Sequence, residues 1–148
     1  MTRLAPLALA VAVAHVPVVA GAGPQEEANK QTVVAFYEAA INRKDFEAAS
    51  KYLGPRYVQH NPNAADGPEG LKAFLEFLKA KFPNARSEIK RVFAEGDYVI
   101  LHVHAVREPG TRGSAIVDIF KLEGGKVVEH WDVVQPIPEK ALNANGMF

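Results

Sequence analysis

The spacing of apolar residues changes once along this chain, near Ala85, and that change constrains the fold more than any other feature. Before it, apolar side chains recur at the period of a helix; after it, they alternate with the two-residue period of a strand. The expectation is an α+β architecture: three N-terminal helices packed on a strongly curved, mainly antiparallel sheet that curls into a cone around a pocket. With 148 residues the chain has room for one such domain. No repeat, low-complexity tract or linker divides it.

Val33, Phe36, Tyr37, Ala40 and Ile41 form the stripe of a first amphipathic helix. Asn42-Arg43-Lys44 breaks it, and Asp45 caps a short second helix whose Phe46, Ala49 and Leu53 share a face before Gly54-Pro55 stops it. Tyr57 to His60 is a brief extended piece ending at Asn61-Pro62. Pro68 opens a third helix that buries Leu71, Phe74, Leu75, Leu78 and Phe82. Strands follow near 86–95, 98–107, 114–122 and 127–135, parted by Gly96-Asp97, Pro109-Gly110 and Gly124-Gly125. Residues 136–148 read as a surface tail.

Several functional classes are excluded or disfavoured by composition. Seventeen basic residues balance seventeen acidic ones, without the cationic excess that nucleic acid demands. The absence of cysteine removes disulfides, thiolate nucleophiles and Cys-ligated metals. There is no glycine-rich phosphate loop, no Walker lysine and no GxSxG elbow. At the amino terminus, Arg3 precedes an apolar stretch from Leu4 to Ala14 and then Ala20-Gly21-Ala22, the small-x-small form of a cleavage site. Residues 1–22 therefore read as a secretory signal, with 23–148 as the mature domain and no stable membrane insertion once it is cleaved; His15, Pro17 and Gly21 interrupt a run too short to span a bilayer. Its removal takes away one cation and leaves a net charge of −1 with four histidines.

Those histidines and nearby acids are the candidate chemistry. On one strand His102 and His104 share a face with Tyr98 and Ile100, and Val99, Leu101 and Val103 take the other. On the last strand His130 and Asp132 share a face, and Asp118 lies with Phe120 on the strand before. A plain two-residue Gly124-Gly125 hairpin pairs Asp118 with Trp131, which turns Asp118 away from His130 and Asp132. A bulge near Glu129 restores a common face, and bulges are frequent beside active sites.

Four segments carry a family resemblance: Tyr57-Val58-Gln59-His60-Asn61-Pro62, Gly96-Asp97 opening the strand with His102-x-His104, Asp118-Ile119-Phe120-Lys121, and Gly125-Lys126-Val127-Val128-Glu129-His130-Trp131-Asp132. In this order they resemble the SnoaL-like polyketide cyclases of the nuclear transport factor 2-like superfamily, whose fold is the cone just described. The resemblance runs from about Glu26 to Pro138. It implies a cofactor-independent aldol condensation with Asp118 as proton shuttle and His104 as its polarising partner. It also implies that His60, His102 and His130 line the pocket, with Asp132 deeper. Tyr98, Phe120 and Trp131 complete the candidate ligand-binding set, although Trp131 also suits the core. Where related epoxide hydrolases carry an arginine and an acid, this chain has His102 and His104, which disfavours that reaction.

An Asp/His pair in an apolar pocket can be poised for proton transfer near neutrality, because burial raises a carboxyl pKa and a neighbouring imidazolium lowers it. The expected protein is thus an exported, cofactor-free acid/base enzyme of aldol-condensing or isomerase type, acting on a small hydrophobic carbonyl compound. Two alternatives stand beside it. The same cone serves as a non-catalytic binding module, or His102 and His104, about 7 Å apart on one face, join His130 and an acid around a metal. A homodimer is expected through an outer sheet face carrying Val99, Leu101, Val103 and Ile119.

Overall fold

The computed structural model describes residues 23–148, so the expected signal segment lies outside the described residues. Helix α1, Pro24–Tyr37, runs into a wider π-helical turn at Glu38–Asn42, in which the Arg43 N–H donates to the Glu38 carbonyl at 3.0 Å. Helix α2, Phe46–Ser50, is capped by Asp45, whose side chain accepts from the Ala48 N–H. Strand β1, Leu53–Gln59, and helix α3, Gly67–Lys81, precede four consecutive strands: β2 (Arg86–Glu95), β3 (Tyr98–Val106), β4 (Ser114–Glu123) and β5 (Lys126–Pro136).

The sheet order is β1-β5-β4-β3-β2, antiparallel except that β1 runs parallel to β5. Leu53, Gly54 and Pro55, expected to end α2, instead begin β1. Proline is tolerated there because β1 is an edge strand and needs fewer backbone donors. Gly124 and Gly125 both hold positive φ, at 56° and 73°, as a tight two-residue hairpin turn requires.

Helix α1 packs across β2 and β3, and α3 packs on β1. Phe36, Leu71, Leu75 and Leu78 from the helices meet Val99, Leu101, Val103 and Phe120 of the sheet in one core. Val99, Leu101 and Val103 are fully buried under the helices, which corrects their assignment to an outer dimerisation face. Only Ile119 of that set lies outward, paired with Trp131. Alternation along β3 separates two sets of residues but does not say which set faces in. Three aliphatic side chains bury at lower cost than two imidazoles, and that difference decides it.

The sheet register carries one further consequence. Glu123 pairs with Lys126 and Leu122 with Val127, but Lys121 pairs with Glu129, so Val128 is an extra residue in β5. The bulge brings Asp118 opposite Asp132 and Phe120 opposite His130, and all four share the concave face. Gly54 of β1 makes room for it: a Cβ there would stand 2.6 Å from Val128 Cγ1.

Candidate active site

Beneath the helices the concave face closes around a cavity of about 110 Å³, walled by Phe36 and Tyr37 of α1, Tyr57 and Gln59 of β1, and Asp118, Phe120, His130 and Asp132 of the sheet. Asp118 and His130 are 5% and 8% exposed. His130 Nε2 lies 3.0 Å from Asp118 Oδ1, and its ring stacks on Phe120 at 4.7 Å.

The protonation of this pair follows from its neighbours. Gln59 Oε1 accepts the backbone N–H of Asn61 at 2.8 Å, so the atom at that position is the amide oxygen. His130 Nδ1 lies 3.0 Å from the same oxygen and must therefore donate to it. With Nδ1 protonated, the 3.0 Å contact between Nε2 and Asp118 holds a single proton, giving either imidazolium with carboxylate or neutral imidazole with carboxylic acid. The same logic fixes Asn61. Its Oδ1 accepts from the Asn63 N–H, and its Nδ2 donates to both oxygens of Asp132 at 2.9 and 2.6 Å.

Burial pushes the Asp118 carboxyl above the ordinary carboxylate range; the His130 hydrogen bond and charge pull it back in part, Asp132 raises it, and Tyr37 lowers it. Asp118 Oδ2 is buried with no hydrogen-bond partner. A buried oxygen left unpaired costs about 1–3 kcal/mol, a penalty commonly retained where the atom has work to do. Burial, followed by the charge of Asp118, raises Tyr37 well above the ordinary phenol value, and Tyr57 is raised in the same way. Both hydroxyls stay protonated. The position of Tyr37 is set from the end of the π-helical turn, where the Asn42 side chain donates to the Ser87 carbonyl at 3.0 Å and accepts the Ser87 N–H at 2.9 Å.

The expected site residues separate cleanly by face. Asp118, Phe120, His130 and Asp132 come together in the cavity. His104, expected beside Asp118, lies on the convex face, where its Nε2 donates to the Arg112 carbonyl at 2.8 Å. His102 lies beside it and accepts from Arg91 at 3.0 Å, and both rings meet Phe148. His60 stacks on Trp131 at 4.6 Å and bonds Glu129 at 2.8 Å, while the Tyr98 ring lies tilted to Trp131 at 6.4 Å. None of these five reaches the cavity, because they share the outward parity of Ile119 and Trp131. The imagined metal set of His102, His104 and His130 is therefore split between two faces.

Sequence reasoning missed Tyr37, Tyr57, Gln59 and Asn61. The signal for three of them was present in the Tyr57-to-Pro62 segment: residues 57, 59 and 61 alternate with His60, and they face the cavity while the histidine faces out. Tyr37 read as an ordinary core aromatic, and nothing local distinguishes it from one.

The model of the SnoaL-like domain matches residues 33–130, well over half of the chain. The chain belongs to the SnoaL-like family. Solved structures place this SnoaL-like protein in the nuclear transport factor 2-like cone fold. A protein from Jannaschia named as a SnoaL-like polyketide cyclase is 21% identical, with a TM-score of 0.64 over 78% of this chain and 90% of that one. One from Acidithiobacillus ferrooxidans named as a polyketide cyclase is 22% identical, with a TM-score of 0.62 over 72% and 87%. A nuclear transport factor 2-like protein of unknown function from Cytophaga hutchinsonii is 22% identical, with a TM-score of 0.61 over 73% and 90%. At these identities the likeness establishes the fold. Among curated proteins no sequence matches the chain.

Proposed function

We propose that this SnoaL-like protein is a cofactor-independent acid/base catalyst that forms and redirects an enolate on a small hydrophobic carbonyl compound, as aldol-condensing cyclases and isomerases do. The observation that carries the reading is the free Asp118 Oδ2, a buried carboxylate oxygen at an apolar cavity wall, backed on its other oxygen by a histidine of fixed tautomer. In the ionised form of the pair, Oδ2 takes a proton from the carbon next to the carbonyl. The electron pair of that C–H bond moves into the enolate, and the Tyr37 hydroxyl is the donor placed to receive the developing charge on oxygen. The enolate carbon then bonds to a second carbonyl carbon, and the Asp118 carboxyl gives its proton to the resulting alkoxide. Return of the proton at another carbon gives isomerisation instead. His130 is a positioning residue here, holding Asp118 ionised and oriented through Gln59.

The test is hydrogen–deuterium exchange at the α-carbon of a panel of aryl and alicyclic ketones in D₂O. Exchange accelerated by the protein and lowered at least a hundredfold in Asp118→Asn supports the reading. Absence of exchange across the panel, with ketone binding retained in both forms, overturns it in favour of a binding module.

A second reading has its own observation. Donor atoms of Asp118, His130 and Asp132 lie within 4.8 Å of one another, and Gln59 leaves His130 Nε2 facing the acids, as the outer partner of a metal-ligating histidine does. Native mass spectrometry distinguishes the two: a stoichiometric divalent metal removed by chelator together with activity favours this second reading. Export through residues 1–22 and pairing of two copies on the convex face, where Val117, Ile119 and Val133 supply apolar surface, belong to the proposal as well. The amino-terminal mass of secreted protein and sedimentation at micromolar concentration check them.

A further inference from the structure

The cavity that holds Asp118 is too small for most of a polycyclic or long-chain molecule, and it adjoins a far larger open groove of about 1160 Å³. The groove runs between α3, the 61–65 loop and the β3–β4 connection, with Phe74, Phe77 and Phe82 supplying an apolar wall. Cavity and groove share a short set of lining residues, and among these Arg107 is the one charged side chain.

Arg107 immediately follows β3. Alternation from Leu101, Val103 and Ala105 puts it on the concave face. Its guanidinium carbon sits 5.8 Å over the Phe82 ring, which holds the side chain against the groove wall. No ion pair among the described residues includes Arg107. Glu108, Glu139 and Arg112 line the outer groove only, while Arg86 also lines the cavity, and the nearby Lys44 donates to the Asn42 and Ala85 carbonyls. At the junction itself, where the two linings overlap, Arg107 has no acid beside it among the shared residues. A planar fork held in place without a carboxylate partner, where the chamber opens into a groove with an aromatic wall, matches a ligand carboxylate.

We infer that the substrate is an elongated carbonyl compound bearing a carboxylate, with its carbonyl beside Asp118 and its carboxylate on Arg107 where the cavity opens into the groove. The carbonyl end rests on the proposed role of Asp118; the carboxylate end rests on Arg107 alone. Leu101 pairs with Asp118, and Arg107 lies six residues further along, roughly 20 Å of extended strand at about 3.3 Å per residue. Both side chains shorten that span, yet several carbon–carbon bonds must still separate the two groups. Simple 2-keto and 3-keto acids are too short to engage both ends.

The experiment uses the intact protein and a homologous series from 4-oxo-4-phenylbutanoate to 8-oxo-8-phenyloctanoate, each compared with its methyl ester by calorimetric titration and by α-deuterium exchange. One or more of the longer acids should bind at least tenfold more tightly than its ester. That preference should vanish in Arg107→Gln, persist in Arg112→Gln, and survive in Asp118→Asn, which removes the exchange and keeps the anion site. Arg107→Lys, which keeps charge but loses the fork, should retain part of it, showing that loss in Arg107→Gln is not misfolding. Equal binding of acids and esters across the series, or a preference untouched by Arg107→Gln, overturns the inference. Failure of exchange with the binding preference intact overturns the role of Asp118 instead.

Discussion

His130 Nε2 stands 3.0 Å from Asp118 Oδ1 across a hairpin whose unbulged register would put the two on opposite faces of the sheet. Val128 is the residue that changes this, and the site depends on the strand geometry as directly as on the residues that act in it. A bulge is stable only where its neighbours leave room, and here Gly54 of the adjacent edge strand leaves it.

Gly54→Ala should therefore destabilise the fold by about 1–3 kcal/mol, the usual cost of forcing an extra carbon into a packed core. Val128→Ala should relieve part of that cost, since the two positions touch and their effects will not add. A double-mutant cycle by urea unfolding measures the coupling; strict additivity would mean that the bulge does not press on β1.

The stability of Asp118→Asn should depend on pH in a definite direction. Burial raises the folded-state pKa of Asp118, so the folded protein binds this proton more tightly than the unfolded chain does. The resulting stability is fully present below the ordinary carboxylate value, near 3.8, and is lost as pH rises through the raised folded value. At neutral pH the wild-type protein carries the cost of a buried ionised oxygen that asparagine does not. Asp118→Asn should melt a few degrees higher at pH 7, a shift corresponding to about 1 kcal/mol in a domain of this size. That gain should shrink as pH falls toward 4. A lower melting temperature at pH 7 would contradict it.

His130 pulls Asp118 toward its ionised form, by hydrogen bond and by charge. In His130→Gln that pull is lost and the Asp118 pKa rises further, so the acid limb of the exchange rate should move to higher pH. A rate profile of this variant distinguishes a positioning role from simple packing, which would lower the rate at every pH without moving the limb.

The order of elements was legible because helical and strand periods are strong signals over many residues, and the strands after Ala85 fall within a residue or two of their expected bounds. The family resemblance and the need for a bulge near Glu129 were legible as well. What sequence could not fix was which parity of β3 faces in, since Tyr98 and Ile100 make its histidine face nearly as apolar as its aliphatic one. The family resemblance sets His104 beside Asp118 and His130 only among the lining residues, whereas the sheet register turns His104 outward and brings His130 to Asp118. The same ambiguity hid Gln59 and Asn61 behind the more conspicuous His60.

Tyr37→Phe should lower the exchange rate by roughly a hundred- to a thousandfold, the range expected for removing one donor at a developing oxyanion, or about 2.7–4 kcal/mol of barrier. Burial and the charge of Asp118 keep this phenol protonated, so its contribution should be flat with pH below 10. A fall in rate with unchanged melting behaviour supports the donor role, and an unchanged rate removes it.

The convex-face histidines supply the complementary prediction. His104 is held by the Arg112 carbonyl and Phe148, and His102 by Arg91 and Phe148, with the sheet standing between them and Asp118. His102→Ala and His104→Ala should each leave the exchange rate within about twofold of wild type, because neither ring can reach a molecule in the cavity, and each should cost at most about 1 kcal/mol of stability for the lost hydrogen bond. The pair of measurements is sharper than either alone. Should His104→Ala abolish exchange while His130→Gln spares it, β3 would have to present its other face to the substrate, and Val99, Leu101 and Val103 would have to leave the core.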